Sequence, residues 1–136
     1  MQLNPYIFFD GRCEEAFKFY EKLFGGKIEA LLPYGDMAKT APGGEALRDK
    51  IMHGAMKIGD SVLMGADNGM GNYTAPHGFR VSLTVKTPAE AERVFAGLSD
   101  GGNVAMPMQQ TFFSARFGQL TDKFNIPWMV YCEQQS

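Results

Sequence analysis

The sequence predicts an α+β fold made of two βαβββ modules, about 1–67 and 78–136, joined by a linker over 68–77 within a single domain. Three observations predict it. An order of strand, turn, helix and double glycine occurs twice. Each helix is followed by the pattern of a β-hairpin. Between the two occurrences lies a stretch rich in Gly and Asn, from Asp67 to His77.

The first module opens with Pro5 to Phe9, a short apolar and aromatic run closed by the turn residues Asp10-Gly11, which reads as a strand. From Arg12 to Phe24 the period changes. Cys13, Ala16, Phe17, Tyr20, Leu23 and Phe24 share one helical face, and Glu14, Glu15, Lys18, Glu21 and Lys22 lie mostly opposite. Gly25-Gly26 ends the helix, because glycine accepts the left-handed cap conformation. A strand follows over Lys27 to Pro33, and Gly35 to Asp49, with Pro42 and Gly43-Gly44, reads as a mobile loop. Lys50 to Ile58, a Gly59-Asp60 turn and Ser61 to Ala66 form the hairpin.

The order returns about 75 residues further on. Phe79 to Val85 alternates, with Val81, Leu83 and Val85 on one face and Arg80, Ser82 and Thr84 on the other. Thr87-Pro88-Ala89-Glu90 combines an N-cap Thr, a Pro at the first helical position and a Glu at the third, which is a capping box. Ala91, Val94, Phe95 and Leu98 make the apolar stripe, and Gly101-Gly102 closes the helix. A strand over Asn103 to Gln110 precedes a hairpin of Arg116 to Thr121 and Pro127 to Cys132 around Asp122-Lys123-Phe124-Asn125. A half of this size buries too little apolar surface alone, so pairing of the sheets is expected to supply the core.

Composition narrows the function classes. A chain of 136 residues with 45% apolar and 21% charged residues is ordinary for a globular domain. A net charge of −2 with interspersed signs lacks the basic stripe of a nucleic-acid footprint. No apolar run has the length of a membrane span, and Met1-Gln2-Leu3-Asn4-Pro5 has neither the basic nor the apolar region of a signal peptide. The two cysteines, Cys13 and Cys132, have no metal-type spacing, so a cytoplasmic protein with reduced thiols is expected, with one long-range disulfide as the alternative.

Three stretches carry a family resemblance: Asn4-Pro5-Tyr6-Ile7-Phe8-Phe9-Asp10-Gly11-Arg12-Cys13-Glu14-Glu15-Ala16, then Lys50-Ile51-Met52-His53 through Ile58-Gly59-Asp60-Ser61-Val62-Leu63-Met64, and Ala115-Arg116-Phe117-Gly118 through Asp122-Lys123-Phe124-Asn125-Ile126-Pro127-Trp128-Met129-Val130. They resemble the PhnB-like branch of the glyoxalase/bleomycin-resistance/dioxygenase (vicinal oxygen chelate) superfamily, the branch labelled "3-demethylubiquinone-9 3-methyltransferase-like". The resemblance implies a cupped mixed β-sheet and a homodimer. It specifies fold and branch more than activity. The methyltransferase label finds no glycine-rich turn after a strand with a downstream ribose-binding acid.

Metal-dependent members of that superfamily resemble one another in a His/Glu ligand set on the first and last strands of each module. Carried over by helix and turn landmarks, those positions are Pro5, Met64, Arg80 and Met129. Proline offers no donor, thioethers are soft ligands, and arginine is a fixed positive charge. A slip of register brings in Tyr6 or Ser82, and still neither His nor Glu. No metal site and no cofactor is therefore expected.

A pocket of another kind is expected instead. Arg80, on the strand face opposite Val81, would pair with an anionic group of a ligand. Met64, Met129, Phe113, Arg116 and Trp128 would line the apolar remainder. The competing reading makes Met64, Met129 and Trp128 ordinary core, with Arg80 reaching the surface. His53, in a strand, is either a half-buried structural histidine or a hydrogen-bonding pocket residue. His77 reads as a solvated linker residue. Cys13 lies in the first helical turn, where the helix dipole favours a thiolate, but its apolar stripe and the adjacent Glu14 and Glu15 favour a buried neutral thiol.

Three functional readings follow. The first is a metal-independent small-molecule-binding protein for an anionic, apolar ligand. The second is an enzyme of lyase, isomerase or dioxygenase type with a non-standard or metal-free site. The third is a structural or interaction module acting as a homodimer.

Overall fold

The computed structural model describes residues 1–133. The chain forms two compact units, Met1–Thr74 and a second beginning at Ala75. Each is a four-stranded mixed sheet with one helix on one face, an α+β arrangement repeated twice.

In the first unit, β1 (Tyr6–Phe9), α1 (Cys13–Phe24), β2 (Lys27–Pro33), β3 (Ile51–Ile58) and β4 (Ser61–Asp67) follow in sequence, and the sheet order is β1-β4-β3-β2. β1 runs parallel to β4, with Tyr6 opposite Met64 and Phe8 opposite Ala66. The β3–β4 hairpin is antiparallel, with Gly54 opposite Gly65 and Ala55 opposite Met64. Strand alternation then decides what the helix covers. Phe9 and Ile7 turn toward α1, and Phe9 meets Phe17 edge-on at 6.1 Å between centroids. The Phe17 ring lies over Gly54 and Gly65, where a Cβ would come within 3.1 Å of it. Two glycines in facing positions therefore let an aromatic ring approach the sheet backbone. Full burial of such a ring stabilises by about 2 kcal/mol. Cys13, Ala16, Phe17 and Tyr20 are the buried residues of α1.

The segment expected as a mobile loop, Gly35 to Asp49, instead holds two short 3-10 helices, Gly35–Lys39 and Glu45–Leu47. Arg48 pairs with Asp36 at 2.7 Å and with Glu45 at 2.9 Å, while Ala38 and Leu47 are buried. The breaker residues were visible in sequence; the ion pairs and apolar anchors that organise them were not. Asp67 is a second correction. Expected at the start of the linker, it closes β4, is 1% exposed, and accepts hydrogen bonds from the backbone N–H of Cys13 and of Ile51, both at 2.9 Å.

The second unit repeats the order with β5 (Val81–Val85), α2 (Pro88–Ser99), β6 (Asn103–Gln109), β7 (Ser114–Thr121) and β8 (Pro127–Glu133), arranged β5-β8-β7-β6. β5 starts two residues later than the alternation predicts, at Val81 opposite Trp128. Its partner β8 begins at Pro127, which has no N–H to extend the ladder. Thr87 caps α2 as expected, its hydroxyl accepting from the Glu90 N–H at 3.1 Å. Phe95 lies over Gly118 as Phe17 does over its glycines. The β7–β8 turn is built on Asp122, whose carboxylate accepts from the N–H of Phe124 (2.8 Å) and of Ile126 (2.9 Å). Asn125 takes a φ of 72° there, a left-handed conformation that Asn tolerates better than most residues.

Candidate functional site

With α1 on one side of the first sheet, the other side is open. Tyr6, Phe8, His53, Ala55 and Met64 project from that side, joined by Leu32, the cross-strand partner of His53. Three of these apolar side chains remain accessible: Tyr6 is 40% exposed, Leu32 50% and Phe8 54%. Tyr6 and Phe8 are tilted rings at 5.3 Å.

One polar pair sits in this apolar surface. The Tyr6 hydroxyl and His53 Nδ1 are 3.0 Å apart, and the rings are 5.7 Å between centroids. Tyr6 is on β1 and His53 on β3, so the pair spans β4, where Ala66 is small enough to leave room. Burial pushes the Tyr6 phenol above its ordinary pKa, and the nearby Cys13 and Tyr34 push the same way. The phenol is therefore held protonated, and either group can donate in this bond: a phenol donating to Nδ1 goes with an imidazole proton on Nε2, and an Nδ1–H donating to the phenol oxygen goes with a bare lone pair on Nε2. Nε2 has no hydrogen-bond partner among the described residues.

The open side of the second sheet differs. Ser82 lies opposite Met129, Met129 opposite Gln119, and Tyr131 opposite Phe117. Phe113 covers part of this side, stacked on Tyr131 at 6.1 Å and meeting Phe117 edge-on at 5.3 Å. The Tyr131 hydroxyl donates to the Phe113 carbonyl at 3.2 Å.

Of the residues expected to line a pocket, His53 and Met64 thus share the open face of the first sheet, and Met129 and Phe113 that of the second. Trp128 does not reach an open face. It is 1% exposed, lies on the α2 side with Val130, and donates its Nε1–H to Asp122 at 2.8 Å. Arg116 is also on the helix side, opposite Cys132, and pairs with Glu92 of α2. The physical reason is the two-residue period: Met129 and Trp128 are adjacent and face opposite ways. Arg80 precedes β5 and uses one guanidinium nitrogen to donate to the carbonyls of Leu120 (2.8 Å) and Trp128 (3.4 Å). His77 is exposed. Cys13 and Cys132 are both free and buried.

Strand register also revises the ligand positions that the resemblance implied. Tyr6, rather than Pro5, is the partner of Met64, and Ser82, rather than Arg80, is the partner of Met129. A phenol held protonated, a hydroxyl and two thioethers do not fit a divalent cation that takes imidazole and carboxylate ligands. Among the described residues, no group of three or more His, Cys, Asp and Glu side chains is placed to hold a metal ion.

A cleft of about 410 Å³ in the first unit, lined by Arg12, Glu14, Glu15, Lys18, Asp49 and Lys50, offers a weaker alternative. Its cations are already matched: Arg12 to Glu15, Lys18 to Glu14, and Lys50 to the Gly11 carbonyl. Sequence reading missed Phe8 and Leu32 as face residues and gave Tyr6 no role beyond a register slip. Alternation along Tyr6–Phe9, with Phe9 assigned to the helix side, was the signal that would have found Tyr6 and Phe8.

Comparison with known proteins agrees with this architecture. Residues 2–130 match the Glyoxalase/Bleomycin resistance protein/Dioxygenase superfamily, and the chain belongs to that superfamily. It is 32% identical over 143 residues to Protein YjdN of Escherichia coli (strain K12), covering 99% of this chain and 97% of that one. Its structure is similar to that of protein PA1353 from Pseudomonas aeruginosa, with a TM-score of 0.89, 44% identity and 99% of each chain covered. A PhnB protein from Bacillus cereus follows at a TM-score of 0.81 and 27% identity, covering 97% of this chain and 99% of that one. Among the described residues, no helix is long and apolar enough to cross a membrane.

Proposed function

We propose that this protein is a metal-independent small-molecule-binding protein that takes a flat, apolar ligand on the open face of its first sheet. The observation that carries this reading is an accessible apolar surface, made by Phe8, Leu32 and the Tyr6 ring, with a single polar pair at its centre. Sites for small molecules combine an apolar lining with a few placed polar groups. Met64, beside Tyr6, adds an adaptable thioether. Superfamily membership supports a small-molecule-binding fold, and the side chains at the ligand positions support binding without a metal. Association of two copies, which the resemblance implies, belongs to the same proposal and is checked by sedimentation equilibrium.

The test is methyl NMR on protein labelled with [methyl-13C]methionine, titrated with indole and with benzoate in the presence of a chelator. The Met64 methyl is expected to shift on titration with either probe, while Met56, fully buried on the helix side, stays in place. An unmoved Met64 resonance in folded protein, or a shift that appears only after zinc is added, would sink the proposal.

A further inference from the structure

We propose that the Tyr6–His53 pair is the specificity element of this face: His53 Nε2–H donates to an acceptor oxygen of the ligand, so the site selects aromatic carbonyl or carboxylate compounds over their hydrocarbon analogues. This rests on the binding reading above and goes beyond it by naming the ligand chemistry and the atom that recognises it.

At 3.0 Å the Tyr6 hydroxyl engages Nδ1. With the phenol as the donor, which is part of this proposal, Nδ1 accepts and a neutral imidazole carries its proton on Nε2. That donor has no protein partner among the described residues, and it stands among Phe8, Leu32, Ala55 and Met64, none of which accepts a strong hydrogen bond. An apolar ligand without an acceptor would cover the Nε2–H and strip it of water with nothing in exchange. A buried donor left unmatched is costly, and a site built around one therefore rejects analogues that lack the matching atom far more strongly than an apolar pocket rejects a change of shape. Tyr6 does not need to touch the ligand. It acts through His53, as a positioning residue that sets the tautomer and holds the ring across β4.

The experiment compares acetophenone with α-methylstyrene, which replaces the carbonyl oxygen by a methylene and keeps the shape, and adds benzoate as the anionic arm. Affinities are read from the Met64 methyl in the wild type, His53→Leu, His53→Gln and Tyr6→Phe. Wild type is expected to bind acetophenone and benzoate at least tenfold more tightly than α-methylstyrene. In His53→Leu the preference falls to about onefold while α-methylstyrene binding is unchanged or stronger, which also shows that the face is intact. His53→Gln, which retains an N–H donor, keeps part of the preference. Tyr6→Phe lowers it severalfold by freeing the ring.

Equal affinity for acetophenone and α-methylstyrene in the wild type overturns the inference and leaves the binding proposal standing. A preference that survives His53→Leu overturns it as well. Absence of any Met64 response to all three compounds overturns both. Nitrogen-15 NMR of the histidine ring supplies an independent reading: a neutral His53 with its proton on Nδ1 overturns the inference whatever the affinities.

Discussion

The two halves begin their helices in different ways. In α2 the first turn is closed by its own sequence: Thr87 accepts from the Glu90 N–H three residues on, and Pro88 occupies the first helical position, where an N–H would have no partner. In α1 the residue before the helix, Arg12, makes no capping hydrogen bond through its side chain. The acceptor comes from Asp67, fifty-four residues away at the end of β4, which takes the Cys13 N–H at one oxygen and the Ile51 N–H at the other. A local cap fixes where a helix starts. A distant one also fixes where the helix sits on its sheet, because β3, β4 and the α1 terminus meet at one buried carboxylate.

The largest effect expected from this difference is at Asp67. Asp67→Ala leaves two backbone N–H groups without partners in a buried place. It is expected to destabilise the protein by about 4 kcal/mol, on the scale of one to three for each unmatched group. Asp67→Asn keeps the size but turns an NH2 toward one of the two donors, and about half of that loss is expected. Urea unfolding at pH 7 checks both. A loss below about 1 kcal/mol for Asp67→Ala would show that the first helix does not depend on its distant cap.

The next effect tests the aromatic contacts that hold each helix on its sheet. Phe17 covers two glycines, Gly54 and Gly65; Phe95 covers Gly118, whose cross-strand partner is Val130. A Cβ at Gly65 would lie 2.8 Å from the Ile7 carbonyl oxygen as well as 3.1 Å from Phe17, so neither neighbour gives way easily. At Gly54 the same addition meets only side chains. Gly65→Ala is expected to cost about 2 kcal/mol and Gly54→Ala about half of that, within the range for overpacking. The ordering of the two unfolding midpoints is the measurement, and a reversed order would mean that the sheet, not Phe17, adjusts.

Thr87→Ala completes the comparison of caps, with an expected loss of about 1 kcal/mol, typical of a solvent-accessible local N-cap. Hydrogen exchange is expected to rise in the first turn of α2 and to stay unchanged in α1. The reciprocal pattern, first-turn exchange in α1 together with Ile51, is expected for Asp67→Asn.

The same contrast explains what was legible in the sequence. The Thr87-Pro88-Ala89-Glu90 cap, the apolar stripes of both helices, the Gly25 stop and the β3–β4 and β7–β8 hairpins are written in neighbouring residues, and local chemistry reads them. Asp67 looked like a linker residue because its partners are far away in the chain. The Gly35 to Asp49 segment looked like a loop because Arg48, Asp36 and Glu45 pair only once the 3-10 turns have formed. In the site, residue type alone grouped Trp128 with Met129, although adjacent strand residues face opposite sides. Only the register, set by Val81 opposite Trp128 and Ser82 opposite Met129, separates core from open face. The Tyr6–His53 pair is likewise a product of the sheet order β1-β4-β3, which brings the side chains together over β4.

The smallest expected effect concerns Cys13, which sits beside the distant cap. Its position in a first helical turn favours a thiolate, yet burial pushes the thiol pKa well above the ordinary value of 9.0, and Asp67 and then Glu14 push it the same way. Desolvation and two carboxylates outweigh the helix dipole. A raised pKa means that the folded protein keeps its proton after the unfolded chain has lost it. The contribution is therefore complete below pH 9 and is lost as the pH rises above it. From pH 8.5 to 9.5 the wild type is expected to lose somewhat less than about 1 kcal/mol more stability than Cys13→Ala, compared as a difference so that other groups titrating in that range cancel. Native protein at pH 8 is expected to leave Cys13 unmodified by a thiol reagent that reacts at once in urea. Rapid native modification, or a pH dependence unchanged by Cys13→Ala, would mean that the dipole prevails and that the cap at Asp67 does not hold the thiol neutral.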